Sequence, residues 1–172
     1  MKPNTFSFSK RFYLEALFAS ALVFLSVASA SAQTFTPIRN LDFGSMVAGV
    51  SKHVLYSDGT AGEFSIQVPK ARKGTFLTLA WLTFFPLPSS LSDGSNDLPI
   101  TFGATDAAWS NHSNVAGATL FDPASPLGAY WHWTNSPKDI YVWIGGTVSP
   151  PVGQAAGQYG GTITATFTIV YL

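Results

Sequence analysis

The stretch Gly160-Gly161-Thr162-Ile163-Thr164-Ala165-Thr166-Phe167-Thr168-Ile169-Val170-Tyr171-Leu172 alternates along most of its length. Ile163, Ala165, Phe167, Ile169 and Tyr171 fall on one side, and Thr162, Thr164, Thr166 and Thr168 on the other. Successive side chains of a strand point to opposite faces, so this period of two predicts one buried and one wet face. β-branched residues fill most positions, which suits a pleated, half-buried surface. A strand this regular is expected to be a structural member and also a handle for a partner.

Working outward from it, Asp139 to Val148 alternates too, with Ile140, Val142 and Ile144 against Tyr141 and Trp143. Glu63 to Val68 does the same, with Phe64, Ile66 and Val68 inward and Pro69 as its stop. Further short strands are expected at Leu41 to Val47, Lys52 to Ser57, Thr75 to Leu82 and Leu98 to Phe102. Asp58-Gly59, Asp93-Gly94 and the Pro- and Gly-rich run from Ser149 to Tyr159 are turn signals between them. From Gly103 to Pro137 the pattern dissolves, and a structureless stretch of that length predicts hidden strands near Ala118 to Phe121 and Tyr130 to Trp133. The leader Gln33 to Asn40 has no clean period, and Pro37 removes a donor from any ladder it joins. After Ala32 no dozen residues show helical periodicity, so the expected class is all-β, an antiparallel sandwich.

Met1 to Ala32 reads as a cleaved signal peptide and not as fold. Lys2, Lys10 and Arg11 precede an apolar run from Ala16 to Val27, and Ala30-Ser31-Ala32 gives the small-x-small cleavage pattern. That run is shorter than the ~20 residues of a comfortable membrane span. Export to the periplasm or cell surface is expected, with no membrane insertion after cleavage. Residues 33–172 then form a single domain. Removing Lys2, Lys10, Arg11 and Glu15 from nine basic and nine acidic residues leaves six and eight, a net charge of −2. The one local basic patch, Lys70-Ala71-Arg72-Lys73, reads as a solvated loop, so no nucleic-acid partner is expected. The chain has no cysteine, which excludes disulfides, thiolate chemistry and Cys-ligated metals.

Leu41-x-Phe43-Gly44, Ile144-Gly145-Gly146-Thr147-Val148 and Gly157-x-Tyr159-x-Gly161-Thr162-x-Thr164 with Tyr171 recur in this order in one group of proteins. The chain resembles the secreted bacterial family catalogued as domain of unknown function forty-four-oh-two. That family is similar in turn to spore coat U and chaperone–usher pilin domains. The resemblance spans nearly all of residues 33–172 and implies an immunoglobulin-like, pilin-like sandwich, exported by a Gram-negative bacterium. In pilins a periplasmic chaperone lends a missing strand, and the N-terminal extension of the next subunit later replaces it. Carried over, the docking residues are Gly161 (or Gly160), Phe167, Ile169 and the penultimate Tyr171. Leu41, Phe43, Gly44, Gly145 and Gly146 become structural motif positions. The partners implied are a periplasmic chaperone and other subunits, meeting by β-augmentation. Two features depart from the pilin pattern. The cysteine pair is missing, and the eight-residue leader spans only ~26 Å at ~3.3 Å per residue. The chain is then either a subunit that accepts a strand without donating one, or a self-complete sandwich.

No enzymatic reading emerges. His53, His112 and His132 sit at no metal-ligand spacing, and no nucleophile or paired-carboxylate motif occurs, so no metal, cofactor or catalytic residue is expected. Asp93, Asp97 and Asp106 fit turns and not a calcium loop. Tyr130-Trp131-His132-Trp133 is the one aromatic cluster. It gives a second expectation, a glycan-binding module that uses Trp131 and Trp133. The competing expectation is that these aromatics pack in the sandwich core.

Overall fold

The computed structural model describes residues 34–68, 78–131 and 138–171, and the stretch expected to be a signal peptide lies outside them. The described residues form strands and no helix. In chain order these are β1 (Thr34–Arg39), β2 (Lys52–Val54), β3 (Gly62–Val68), β4 (Thr78–Phe84), β5 (Ser90–Ser92) and β6 (Asp97–Thr101). β7 (Ala107–Ser110), β8 (Thr119–Phe121), β9 (Leu127–Trp131), β10 (Lys138–Ile144), β11 (Gly146–Val148) and β12 (Ala165–Tyr171) follow. They pair into a five-stranded sheet β1-β3-β10-β7-β8, a four-stranded sheet β2-β11-β6-β5 and a three-stranded sheet β12-β4-β9. Every pairing is antiparallel. The chain is an all-β antiparallel sandwich.

Two apolar clusters hold the layers together. In the larger, Ile66, Val68, Ile140, Val142 and Ile144 of the five-stranded sheet meet Ala80, Leu82, Phe84 and Phe167 of the three-stranded sheet. These are the alternate residues of β3, β10, β4 and β12, so the period of two in the sequence becomes one shared buried layer. Burying each large aliphatic or aromatic side chain contributes about 1.5–3 kcal/mol. The smaller cluster gathers Val54, Leu98, Ile100 and Val148 of the four-stranded sheet with Phe43 and Ala61.

The expected strand Asp139 to Val148 is in fact two. β10 runs in the five-stranded sheet up to Ile144, and β11 starts at Gly146 in the four-stranded sheet. Gly145 carries the chain between them, its N–H donating to the Asp106 carbonyl at 2.7 Å. A Cβ there would overlap the Val54 carbonyl oxygen, with the Leu55 and Tyr56 backbones 3.0 Å away, so only glycine passes.

Two other expectations are corrected. The leader is a strand, β1, in register with β3 from Thr34↔Gln67 to Arg39↔Glu63, with an irregularity between Pro37 and Arg39. Pro37 is tolerated because β1 is an edge strand. Leu41 to Val47 is not a strand, although Phe43 is buried and Gly44 bends the chain at φ 59°. The stretch from Gly103 to Pro137 holds β8 and β9 close to where hidden strands were expected, and also β7. His132, Trp133 and Pro137 lie outside the described residues.

Candidate functional site

Among the described residues β1 pairs with β3 alone and β12 with β4 alone, so each strand leaves one edge without a ladder. In an antiparallel ladder, alternate residues direct their N–H and C=O groups to either side, and an unpaired side is a template for another strand. A groove of about 1340 Å³ opens where β1 faces the approach to β12. Phe35, Pro37 and Arg39, the alternate residues of β1, form one wall, and Gly160, Gly161, Ile163 and Ala165 form the other. Phe64, Phe84, Leu98, Ile100 and Ile144 line its floor, so it reaches both apolar clusters.

All six residues of β1 are exposed. A sheet strand normally buries one face, and here the inner face of β1 looks into the groove. Phe35 is still 37% exposed, with its ring centroid 5.9 Å from that of Phe64. Phe64 meets Phe84 edge-on at 6.0 Å, and Phe84 stacks on Phe121 at 6.1 Å, so an aromatic column runs from the groove mouth into the core. β1 is anchored at its end by Arg39, whose guanidinium pairs with Glu63 at 3.0 Å and whose Nε donates to the Ala61 carbonyl at 2.8 Å.

The opposite wall is pinned from behind. Ser92 and Gly160 exchange backbone hydrogen bonds of 2.8 and 2.9 Å. Gln154 Nε2 donates to Tyr159 Oη at 2.7 Å, and Tyr159 Oη donates to the Ala155 carbonyl at 2.8 Å. Asp93 closes the neighbouring turn, its Oδ1 accepting from the Ser95 and Asn96 N–H groups at 2.8 and 2.6 Å. These hydrogen bonds to Ser95 and Asn96 hold the Asp93 carboxyl below its ordinary value.

The expected docking residues divide. Gly161 lies on the groove wall, where a Cβ would come 2.9 Å from the Leu91 side chain. Phe167 is buried in the closed core and Ile169 packs against it, both below the groove and not along it. Their alternation with Thr166 and Thr168 points them into the sandwich, and the groove is instead met by the residues just before them, Ile163 and Ala165. Tyr171 is described through its backbone, opposite Thr78. Leu41, Phe43 and Gly44 line one end of the groove, while Gly145 and Gly146 serve the sheet crossing. Trp131 of β9 is placed by its backbone opposite Thr78 of β4, and Trp133 lies outside the described residues.

One pairing has no signal in the sequence. His53 Nε2 stands 2.9 Å from Asp106 Oδ1, although the two are 53 residues apart. Asp106 is 5% exposed, and its Oδ2 also accepts the Gly103 N–H at 2.7 Å. It ties β2 to the loop before β7 and to Gly145, which makes it a structural hub. Among the described residues no three His, Asp or Glu side chains gather as a metal site. No family model matches the chain, no curated protein matches its sequence, and no solved structure matches its fold.

Proposed function

We propose that this protein is a secreted, non-enzymatic structural subunit of the fimbria-like kind. It acts by taking a β-strand from a partner into the groove between β1 and the segment that leads into β12. The observation that carries the reading is the free edge of β1 beside an apolar-floored groove, whose other wall is the segment 160–165 that leads into β12. A strand laid there would join one ladder, cover the inner face of β1 and place alternate side chains over Phe64, Phe84 and Ile144. The immunoglobulin-like topology, the periplasmic chaperone and the neighbouring subunits belong to this proposal. So does export, which rests on the signal pattern of residues 1–32.

The test is assembly of the full chain in a Gram-negative host, read as high-mass species at the cell surface. Phe35→Asp places a charge on the groove wall at an already exposed position, so the subunit should fold and fail to assemble. Thr168→Asp, on the far face of β12, should assemble normally. Assembly of Phe35→Asp at the wild-type level, or no assembly of the wild type, would overturn the reading.

A further inference from the structure

The three-stranded sheet has a second face, away from both the core and the groove. Ala80, Leu82 and Phe84 of β4 point into the sandwich and are buried, so Trp81 and Thr83 point out. Trp81 is 40% exposed and stands in register between Thr168 of β12 and Gly128 of β9. A Cβ on Gly128 would lie 2.6, 3.0 and 3.2 Å from Cζ3, Cε3 and Cη2 of Trp81. The six-membered ring therefore covers the place where a side chain would stand. Glycine here lets the indole lie along the sheet with its other face to solvent.

The described side chains beside the ring are polar and uncharged. Thr166 and Thr168 are exposed beside it, and Thr83 is half-buried between Trp81 and the end of the strand. β4, β9 and β12 contain no Asp, Glu, Lys or Arg. Phe85, the first residue after β4, is 83% exposed, roughly 13 Å along the strand from Trp81 at ~3.3 Å per residue.

We propose that this face, centred on Trp81, binds a neutral glycan. A pyranose ring presents an apolar face of C–H groups and a rim of hydroxyls. The indole takes the first, and the threonine hydroxyls take the second. An anionic glycan or a nucleic acid would need Lys or Arg, and these strands have none. The proposal does not depend on strand capture, because the groove lies on the other side of the sheet.

The test uses the full mature chain in native gels cast with hydroxyethyl cellulose, laminarin, mannan or dextran. Saturation-transfer NMR with the matching oligosaccharides complements the gels. At least one neutral polysaccharide should retard the protein. Trp81→Ala should weaken that binding about tenfold, the scale of one lost aromatic contact, and Trp81→Phe should weaken it less. If Trp81→Ala melts early, Thr168→Glu on the same exposed face replaces it and should also lose binding. Three results would overturn the proposal. The wild type binds no neutral glycan, the variants bind as well as the wild type, or the wild type is a dimer that Trp81→Ala dissociates.

Discussion

Gly145→Ala isolates a point where two sheets are joined by a single residue. The added methyl would overlap the Val54 carbonyl oxygen and crowd the Leu55 and Tyr56 backbones at 3.0 Å. None of these is the end of a flexible side chain, so relief requires moving β2 or β11. That movement loosens the ladder from Gly146↔Val54 to Val148↔Lys52 and the Gly145 N–H bond to Asp106. Overpacking in a well-packed site costs about 1–3 kcal/mol. Loss of a backbone hydrogen bond beside it leaves a buried group unpaired at about 1–3 kcal/mol more. The expected loss is therefore about 2–6 kcal/mol, a large share of the 5–15 kcal/mol by which such a domain is stable. Urea unfolding followed by circular dichroism reads it as a drop in midpoint at unchanged slope. Gly59→Ala is the matched control: nothing lies within 4 Å of its Cβ, so it should change stability by less than about 1 kcal/mol. A Gly145→Ala protein that unfolds together with the Gly59→Ala control would refute the crossing described here.

Further perturbations follow from the polar contacts. Asp106→Ala should cost about 2–4 kcal/mol by urea unfolding, since it strands the Gly103 N–H and the His53 ring together. His53→Ala should cost less than about 1 kcal/mol because that ring is half exposed, and the double variant should fall short of the sum. Asp93 is held below its ordinary value of 3.8 by the Ser95 and Asn96 hydrogen bonds, so it favours folding when ionised. That contribution is present above pH 3.8 and disappears as the pH falls through the depressed folded value. Thermal melts of Asp93→Asn should accordingly lose less stability than wild type between neutral pH and pH 2–3, and an identical acid profile would contradict the assignment.

The strands whose apolar residues alternate were legible. β10, β3 and β12 owe their positions to Ile140, Val142, Ile66, Val68, Phe167 and their neighbours, whose alternation is the cause of the buried layer. β1 was not legible, because Thr34 to Arg39 buries neither face and joins the sheet through its backbone. β7 was hidden for the opposite reason: Ala107 and Ala108 are both fully buried, so its small side chains carry no contrast between faces. Alternation also runs smoothly through Ile144 to Val148 and gives no sign that the chain changes sheets at Gly145. Of the candidate site, Gly161 was placed by resemblance to pilins, and the groove itself needed β1. Trp81 was visible only as part of a strand apolar on both faces. The seat that Gly128 makes for it depends on register across strands 47 residues apart.

In the proposed function the sandwich is open between β1 and the segment that leads into β12, and an added strand completes it. The most direct measurement is the melting temperature of the mature chain carrying its own surrogate strand. This would be a Gly/Ser linker of about ten residues after Leu172, followed by about seven residues alternating Val and Thr. Inward valines each contribute about 1.5–3 kcal/mol on burial, offset by ordering the segment at about 1–2 kcal/mol per residue and aided by new ladder bonds. A net gain of about 3–5 kcal/mol should raise the melting temperature by roughly 10 °C in a domain of this size. The same extension with serines in place of valines should raise it little. Amide exchange should slow along β12 and at Phe35 in the valine form alone. Equal melting temperatures for the valine, serine and unextended chains, with exchange at both edges unchanged, would mean that the groove does not accept a strand.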